Sequence, residues 1–210
     1  MKALLFSGGL DSTALAYSER PDRCITLDYG QRPAKGEIAA ASSICAELDL
    51  RHEVLRVDLS ALGVGSLSGK KPSNLATAPE WWPFRNQMLV TLAAMKLLPE
   101  GLKEIMIGAV ATDVHADGKA PFLRGIDSLM RGQEGGVRVR APALRTSPLK
   151  LIKDAGVPKS ILGATFSCHV MEYACGRCRG CEKHRDTLAR LEKADKPSVR
   201  STHGMARRHK

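Results

Sequence analysis

The chain's metal-binding chemistry is concentrated near its C-terminal end. Four of its six cysteines fall within this segment, at Cys168, Cys175, Cys178 and Cys181. Two consecutive Cys-x-x-Cys turns hold three thiolates close together, and the cysteine upstream supplies a fourth. Four thiolates close a tetrahedral coordination sphere, so the pattern predicts a structural zinc ion. A 4Fe–4S cluster could use the same ligands, and the neighbouring His169 or His184 could replace one thiolate.

A second group of reactive residues lies at the N-terminus, where an apolar run ends in Ser7-Gly8-Gly9-Leu10-Asp11-Ser12. Paired glycines let backbone N–H groups converge on an anion, and the helix that follows points its positive end to the same place. The hydroxyls of Ser7, Ser12 and Thr13 can donate to phosphate oxygens. Asp11 would repel phosphate, so we expect it to hold Mg²⁺ or to orient the helix. A plain strand-to-helix turn with a serine cap is the alternative to phosphate binding.

Strand and helix patterns alternate along the part of the chain that must position these groups. Predicted strands cover residues 3–6, 24–27, 53–59, 104–110 and 137–144, and predicted helices cover residues 10–20, 37–48, 86–98, 121–131 and 148–155. Residues 62–82 are rich in Gly, Ser, Lys and Pro and are predicted to be irregular. The alternation predicts a doubly wound α/β fold with a five-stranded parallel sheet covered on both faces.

The domain organisation that we predict has three parts. Residues 1–160 form the α/β domain, residues 161–192 the zinc-binding segment, and residues 193–210 a basic tail that we expect to be solvated and disordered. No apolar run approaches the ~18 residues of a membrane span, and the N-terminus lacks the pattern of a signal peptide, so we expect a cytoplasmic protein without a membrane partner.

The net charge of +10 raises the question of nucleic-acid binding. Much of the excess lies in the basic tail, and an aromatic content of 4% offers no obvious surface for stacking bases. The alternative to an enzyme is therefore a zinc-ribbon protein that binds nucleic acid. That function would leave the glycine loop, residues 7–12, unexplained. Attraction of anionic substrates is the other consequence of the charge.

Arg85 stands at the predicted start of the helix over residues 86–98. Cations are disfavoured at helix N-termini, so we favour contact with phosphate over a solvated charge. Three aromatic residues, Trp81, Trp82 and Phe84, directly precede Arg85 in the sequence. They could stack on a purine-like ring or be buried by the irregular segment, and the sequence leaves both interpretations open.

The glycine loop after an N-terminal strand resembles the pyrophosphate loop of the N-type ATP pyrophosphatases. The loop and the cysteine cluster, in this order, resemble the 7-cyano-7-deazaguanine synthase family, and so do residues 28–32, the Arg85-Asn86 pair and residues 107–113. The resemblance covers about residues 2–190. It implies a Rossmann-like HUP sheet, a homodimer, and zinc near the active site.

The resemblance also implies an ATP-dependent ligase that forms C–N bonds and releases AMP and pyrophosphate. The carboxylate of 7-carboxy-7-deazaguanine attacks the α-phosphate of ATP, ammonia displaces AMP to give an amide, and a second ATP dehydrates the amide to 7-cyano-7-deazaguanine. We expect Asp11, Ser12 and Arg85 to be catalytic. The expected ATP contacts are Phe6, Ser7, Gly8, Gly9, Leu10, Asp11, Ser12, Thr13, Asp28 and Gly108. The expected substrate contacts are Tyr29, Gln31, Arg85, Asn86 and Asp113.

Two segments depart from the family pattern. Residues 114–121, which follow the predicted fourth strand, differ from the family pattern, and this difference bears on which substrate the enzyme accepts. In the family a Thr-Lys pair opens the late helix, and its lysine binds phosphate. Here Thr146 is followed by Ser147 and Pro148, and the nearest lysine is Lys150. A divergent relative of the kind found in antiphage operons, which joins a deazapurine acyl group to a protein amine, is therefore the second enzymatic hypothesis.

Overall fold

A computed structural model of the chain describes residues 1–195, so most of the predicted basic tail lies outside the described residues. Its strands are β1 (Lys2–Leu5), β2 (Arg23–Asp28), β3 (His52–Arg56), β4 (Glu104–Met106) and β5 (Arg138–Arg140). They form one sheet in the order β3-β2-β1-β4-β5, and every neighbouring pair is parallel. The predicted five-stranded, doubly wound parallel sheet is confirmed.

The described residues also form eight α-helices around the sheet. These are α1 (Leu10–Glu19), α2 (Ala34–Glu47), α3 (Gly65–Ser68), α4 (Arg85–Leu97), α5 (Ala120–Arg131), α6 (Pro148–Ala155), α7 (Lys159–Gly163) and α8 (Arg179–Asp195). None of the helices within residues 1–195 is long and apolar enough to cross a membrane.

The sheet is covered on both faces because successive strand residues point to opposite sides. On one face, Leu4 and Met106 pack in a cluster with apolar residues of α1, α2, α6 and α8. On the other face, Ala3 and Ile105 pack in a second cluster with residues of α4 and α5. The near-continuous apolar strands are thus those of a parallel sheet buried on both sides.

The strand order creates a switch point beside β1. The chain passes from β1 through β2 to β3 on one side, and then returns to place β4 on the other side of β1. Loops that leave β1 and β4 therefore diverge, and they open a crevice at the carboxyl ends of the strands, which is where open α/β sheets bind ligands.

Three helices are not predicted by the sequence patterns. The stretch predicted to be irregular contains α3, and α7 and α8 follow the last predicted helix. In α8, Cys181, Thr187 and Leu191 are buried and lie on one face at helical spacing. The helix begins inside the cysteine cluster, so the metal-ligand spacing around Cys181 conceals the start of its apolar period. The predicted strand over residues 137–144 shortens to the three residues of β5.

Candidate active site

A cavity of about 550 Å³ occupies the crevice at the carboxyl ends of the strands. Its walls come from the loop after β1, the end of β2, the start of α4, the segment after β4, and the C-terminal segment with α8. A cavity of this size, lined by polar groups from several elements, is typical of a small-molecule site.

The glycine loop forms the floor of this cavity beside α1. Gly8 has φ of +71°, and a Cβ at this position would lie 2.8 Å from the Cβ of Ala40 on α2. Only glycine therefore lets the loop pack against α2 in this conformation. Gly9 is the N-cap of α1 in an extended conformation, and no side chain caps the helix. The first N–H groups of α1 are thus left for an anion in the cavity.

Asp11 lies in the first turn of α1 and has an unusual environment. Burial raises the pKa of its carboxyl group, Lys183 opposes this shift, and the charge of Asp113 adds to it. Lys183 Nζ donates to Asp11 Oδ2 at 3.2 Å, while Asp11 Oδ1 is buried without a hydrogen-bond partner among the described residues. A buried, unpartnered carboxylate oxygen facing a second carboxylate fits a divalent cation such as Mg²⁺.

The wall opposite α1 is built around Gln31, which is buried. Its Nε2 donates to the carbonyl oxygen of Leu27 at 2.9 Å and to Oε2 of Glu37 at 2.8 Å. Its Oε1 accepts the backbone N–H of Tyr29 at 2.8 Å. Gln31 thereby holds Tyr29 and Glu37 at the cavity. Burial raises the pKa of Glu37 to about 7, although Gln31 and Arg85 act in the opposite direction.

Arg85, at the start of α4, supplies a positive charge to the same wall. Desolvation acts to lower the pKa of its guanidinium group, but Tyr29, Asp117 and Glu37 outweigh this effect and raise it. Asn86 donates through its backbone N–H to Asp117 Oδ2 at 3.3 Å and through Nδ2 to the Asp117 carbonyl oxygen at 3.0 Å. Asn86 therefore ties α4 to the segment after β4.

Glu80 joins three separate segments at the cavity rim. Its buried carboxylate accepts a hydrogen bond from Arg179 and lies 3.6 Å from Nε2 of His115 and 3.9 Å from Nδ1 of His169. Nδ1 of His115 lies 3.1 Å from Oγ1 of Thr77. The stretch over residues 62–82, the divergent stretch over residues 114–121 and the cysteine segment thus meet at one carboxylate.

The four clustered cysteines converge beside the cavity. The sulfur atoms of Cys168, Cys175, Cys178 and Cys181 all lie within 4.8 Å of one another. Two pairs are 3.9 Å apart, Cys175 with Cys181 and Cys168 with Cys178. Zn–S bonds of ~2.3 Å in a tetrahedron place sulfurs roughly 3.8 Å apart, so this cluster could hold a metal such as zinc. The backbone N–H of Arg177 is the main cause that lowers the pKa of Cys175 to about 6, which favours the thiolate.

Most of the residues predicted to contact ATP or substrate meet at the cavity. Its lining includes Phe6, Ser7, Gly9, Leu10, Asp11, Ser12, Tyr29, Arg85, Asn86, Gly108 and Asp113. Four others lie behind the wall: Gly8 packs on α2, Thr13 is fully buried, Gln31 supports its neighbours, and Asp28 accepts the Gly30 N–H at 3.2 Å. Asp28 therefore shapes the turn after β2.

The structure distinguishes among the aromatic residues before α4. Trp82 is buried and packs edge-on against Tyr29, with ring centroids 4.9 Å apart, while Phe84 is exposed. The cavity lining in the described residues includes neither of them, nor Trp81. For Trp82 this supports burial over stacking on a ligand.

The lysine nearest the expected phosphate-binding position points elsewhere. Lys150 Nζ bonds to Asp154 at 2.6 Å on the exposed side of α6, whereas Lys183 of α8 lines the cavity. The sequence patterns do not predict Lys183, Glu37, Glu80 and Arg179 as cavity residues. Lys183 and Arg179 lie next to the clustered cysteines, where the spacing of metal ligands is the most evident pattern. Glu37 and Glu80 belong to no sequence motif that indicates chemistry.

Comparison with known proteins identifies the family. The family model described as queuosine biosynthesis protein QueC matches residues 2–192. The 7-cyano-7-deazaguanine synthase of Anaeromyxobacter dehalogenans strain 2CP-C is 34% identical, covering 89% of this chain and 90% of that protein. The 7-cyano-7-deazaguanine synthase 1 of Desulfitobacterium hafniense strain Y51 is 29% identical, covering 92% of this chain and 93% of that protein. These similarities, over a chain whose glycine loop and cysteine cluster meet at one cavity, show that it belongs to the QueC family of queuosine biosynthesis proteins.

Proposed function

We propose that this chain uses ATP to adenylate 7-carboxy-7-deazaguanine, and that it then forms the amide and finally 7-cyano-7-deazaguanine with ammonia. The observation that carries the proposal is the convergence of an uncapped helix N-terminus, Asp11, Lys183 and Arg85 on one cavity. Adenylation needs this arrangement, because it develops charge on phosphate oxygens and depends on positioning and electrostatic stabilisation.

In this proposal the N–H groups of the glycine loop and of α1 bind the phosphates of ATP. Lys183 and Arg85 approach from two sides, and each offers a positive charge to the pyrophosphate that leaves. Asp11 would hold Mg²⁺, which neutralises phosphate charge when it is bound. The family pattern places a phosphate-binding lysine at the late helix. Lys150, the nearest lysine there, is paired with Asp154, so Lys183 takes this role in the proposal.

We propose that the metal at the four cysteines is zinc with a structural role. All four positions of a tetrahedral site are filled by thiolates, so no position remains for a substrate. The cluster lies between His169, which reaches Glu80, and the start of α8, which carries Lys183. A metal there would fix the cavity wall in place.

Transfer of the acyl group to a protein amine remains the alternative, and one observation favours it. Val114 and His115, from the stretch that departs from the family pattern, line the cavity directly. Both reactions share the adenylation step, so the loop and the cysteines serve either.

The other expected partner is a second copy of the chain in a homodimer, which light scattering of the purified protein would test.

The decisive experiment is an exchange assay between ATP and labelled pyrophosphate, with and without 7-carboxy-7-deazaguanine. We expect exchange only when the acid is present, because the acyl-adenylate forms reversibly. ADP as the nucleotide product would contradict the proposal. With ammonium added, mass spectrometry distinguishes the free amide and nitrile from an acyl group attached to protein.

A further inference from the structure

Glu37 is a cavity-lining carboxylate for which adenylation has no use. We propose that Glu37 is the catalytic base that takes the proton from the nitrogen nucleophile after the acyl-adenylate has formed. This inference rests on the proposed function, because it assigns the second half of the same reaction to a residue of the same cavity. Asp11 and Lys183, which we assign to the phosphates and their metal, lie across the cavity from it.

The position of Glu37 is set by two independent contacts. It lies three residues before Ala40 on α2, and Ala40 is the residue against which Gly8 of the glycine loop packs. Glu37 is therefore about 4.5 Å along the helix axis from Ala40, the residue that contacts the loop that would hold the phosphates. Gln31 fixes its side chain by donating to Oε2 at 2.8 Å, and no hydrogen bond to Oε1 occurs among the described residues.

The other carboxylates that line the cavity within residues 1–195 are already committed. Asp11 pairs with Lys183, and Asp113 Oδ2 accepts the Val110 N–H at 3.0 Å. Glu80 is bound by Arg179 and faces two histidines. Asp113 also faces Asp11, on the side of the cavity where the phosphates would bind. Glu37 lies on the wall opposite α1, with Gln31 as its hydrogen-bond partner and no ion pair within the described residues, so it is the carboxylate placed to accept the proton.

The reaction requires such an acceptor at a defined moment. The nitrogen lone pair of ammonia forms the C–N bond, and the C–O bond to the phosphate breaks with its electrons leaving on AMP. The nitrogen then carries one proton too many, which passes to the Glu37 carboxylate and from there to water in the cavity. In the second round, the amide oxygen is adenylated. The nitrogen then gives one of its two protons to Glu37 and on to water, which leaves a neutral imidoyl adenylate. Loss of the second N–H proton by the same route accompanies release of AMP and closure of the nitrile.

The charges around Glu37 suit this task. Arg85 and Gln31 favour its ionised form, while burial and Asp28 favour its protonated form. The resulting pKa of about 7 leaves a substantial fraction ionised at neutral pH, which is the condition for an efficient general base. A carboxylate with an ordinary pKa would be a weaker base, and a fully buried neutral acid could not accept a proton.

The test separates the two halves of the reaction in Glu37→Gln. We expect exchange between ATP and pyrophosphate, dependent on 7-carboxy-7-deazaguanine, to stay within about 3-fold of the wild type, because adenylation does not use this carboxylate. Single-turnover formation of the amide from ammonia should fall by about 100-fold or more, the usual contribution of a general base. At a constant concentration of free NH3, the rise of this rate with pH through about 7 in the wild type should be absent in the variant.

Hydroxylamine distinguishes a base from a merely structural residue. It is uncharged at neutral pH and gives up its proton to water more readily than ammonia, so hydroxamate formation should be restored in Glu37→Gln. The matched control is Glu47→Gln, an exposed glutamate on the same helix. Equal loss of exchange and amide formation, or an unchanged amide rate, would overturn the role of Glu37. Absence of exchange in the wild type would instead refute the proposed function, and Glu37's role with it.

Discussion

The pKa of Glu37 predicts an effect on stability that needs no substrate. The folded protein holds this carboxyl group at a pKa of about 7, against an ordinary value of 4.5. Between these two values the unfolded chain releases the proton while the folded chain retains it. The wild type therefore loses stability as pH rises from about 4.5 to 7, and Glu37→Gln, which does not titrate, escapes that loss.

The size of the effect follows from the same pKa. At about 1.4 kcal/mol for each pKa unit, the full difference corresponds to about 3 kcal/mol. Part of the Glu37 side chain faces water in the cavity, which screens the charge, so we expect about half of this value. We therefore compare the unfolding free energy of Glu37→Gln minus that of the wild type at two pH values. This difference should be about 1.5 kcal/mol larger at pH 8 than at pH 5.

The assay is urea unfolding of both proteins at several pH values from 5 to 8. The difference in unfolding free energy isolates Glu37, because all other titrating groups occur in both proteins. Glu47→Gln serves again as control, since it removes an exposed glutamate from the same helix. A Glu37→Gln difference that stays constant from pH 5 to 8 would refute the burial argument.

Three further predictions concern the metal and the phosphates. The purified protein should carry about one zinc per chain, and Cys178→Ser should lose it and become poorly soluble; less than a third of an equivalent, without iron, would contradict this. Asp11→Asn should raise the melting temperature at neutral pH, since it removes a buried carboxylate, yet lower pyrophosphate exchange about 100-fold. Lys183→Ala should raise the KM for ATP about 10-fold whereas Lys150→Ala should not, and the reverse order would reassign the phosphate lysine.

The features that the sequence determined are those whose physics is local. The paired glycines follow directly on a strand, and the cysteines lie within a few turns of one another, so chelation and anion binding can be inferred without a fold. The apolar periods of β1, α1 and α4 likewise depend on neighbours along the chain. Even there, helix α8 was missed, because its first turns carry metal-ligand spacing in place of an obvious apolar stripe.

The pairings that complete the cavity were decided only by the tertiary structure. Lys183 meets Asp11 across 172 positions of sequence, and Arg179 meets Glu80 across 99. Such contacts depend on the order of strands in the sheet and on the packing of α8 against α6, which no local pattern encodes. Glu37 shows the same limit, since a glutamate in an ordinary helical pattern becomes a cavity carboxyl group with a raised pKa only when the fold brings Gln31 and Arg85 beside it. Burial and long-range charge, rather than residue type, give these groups their chemistry.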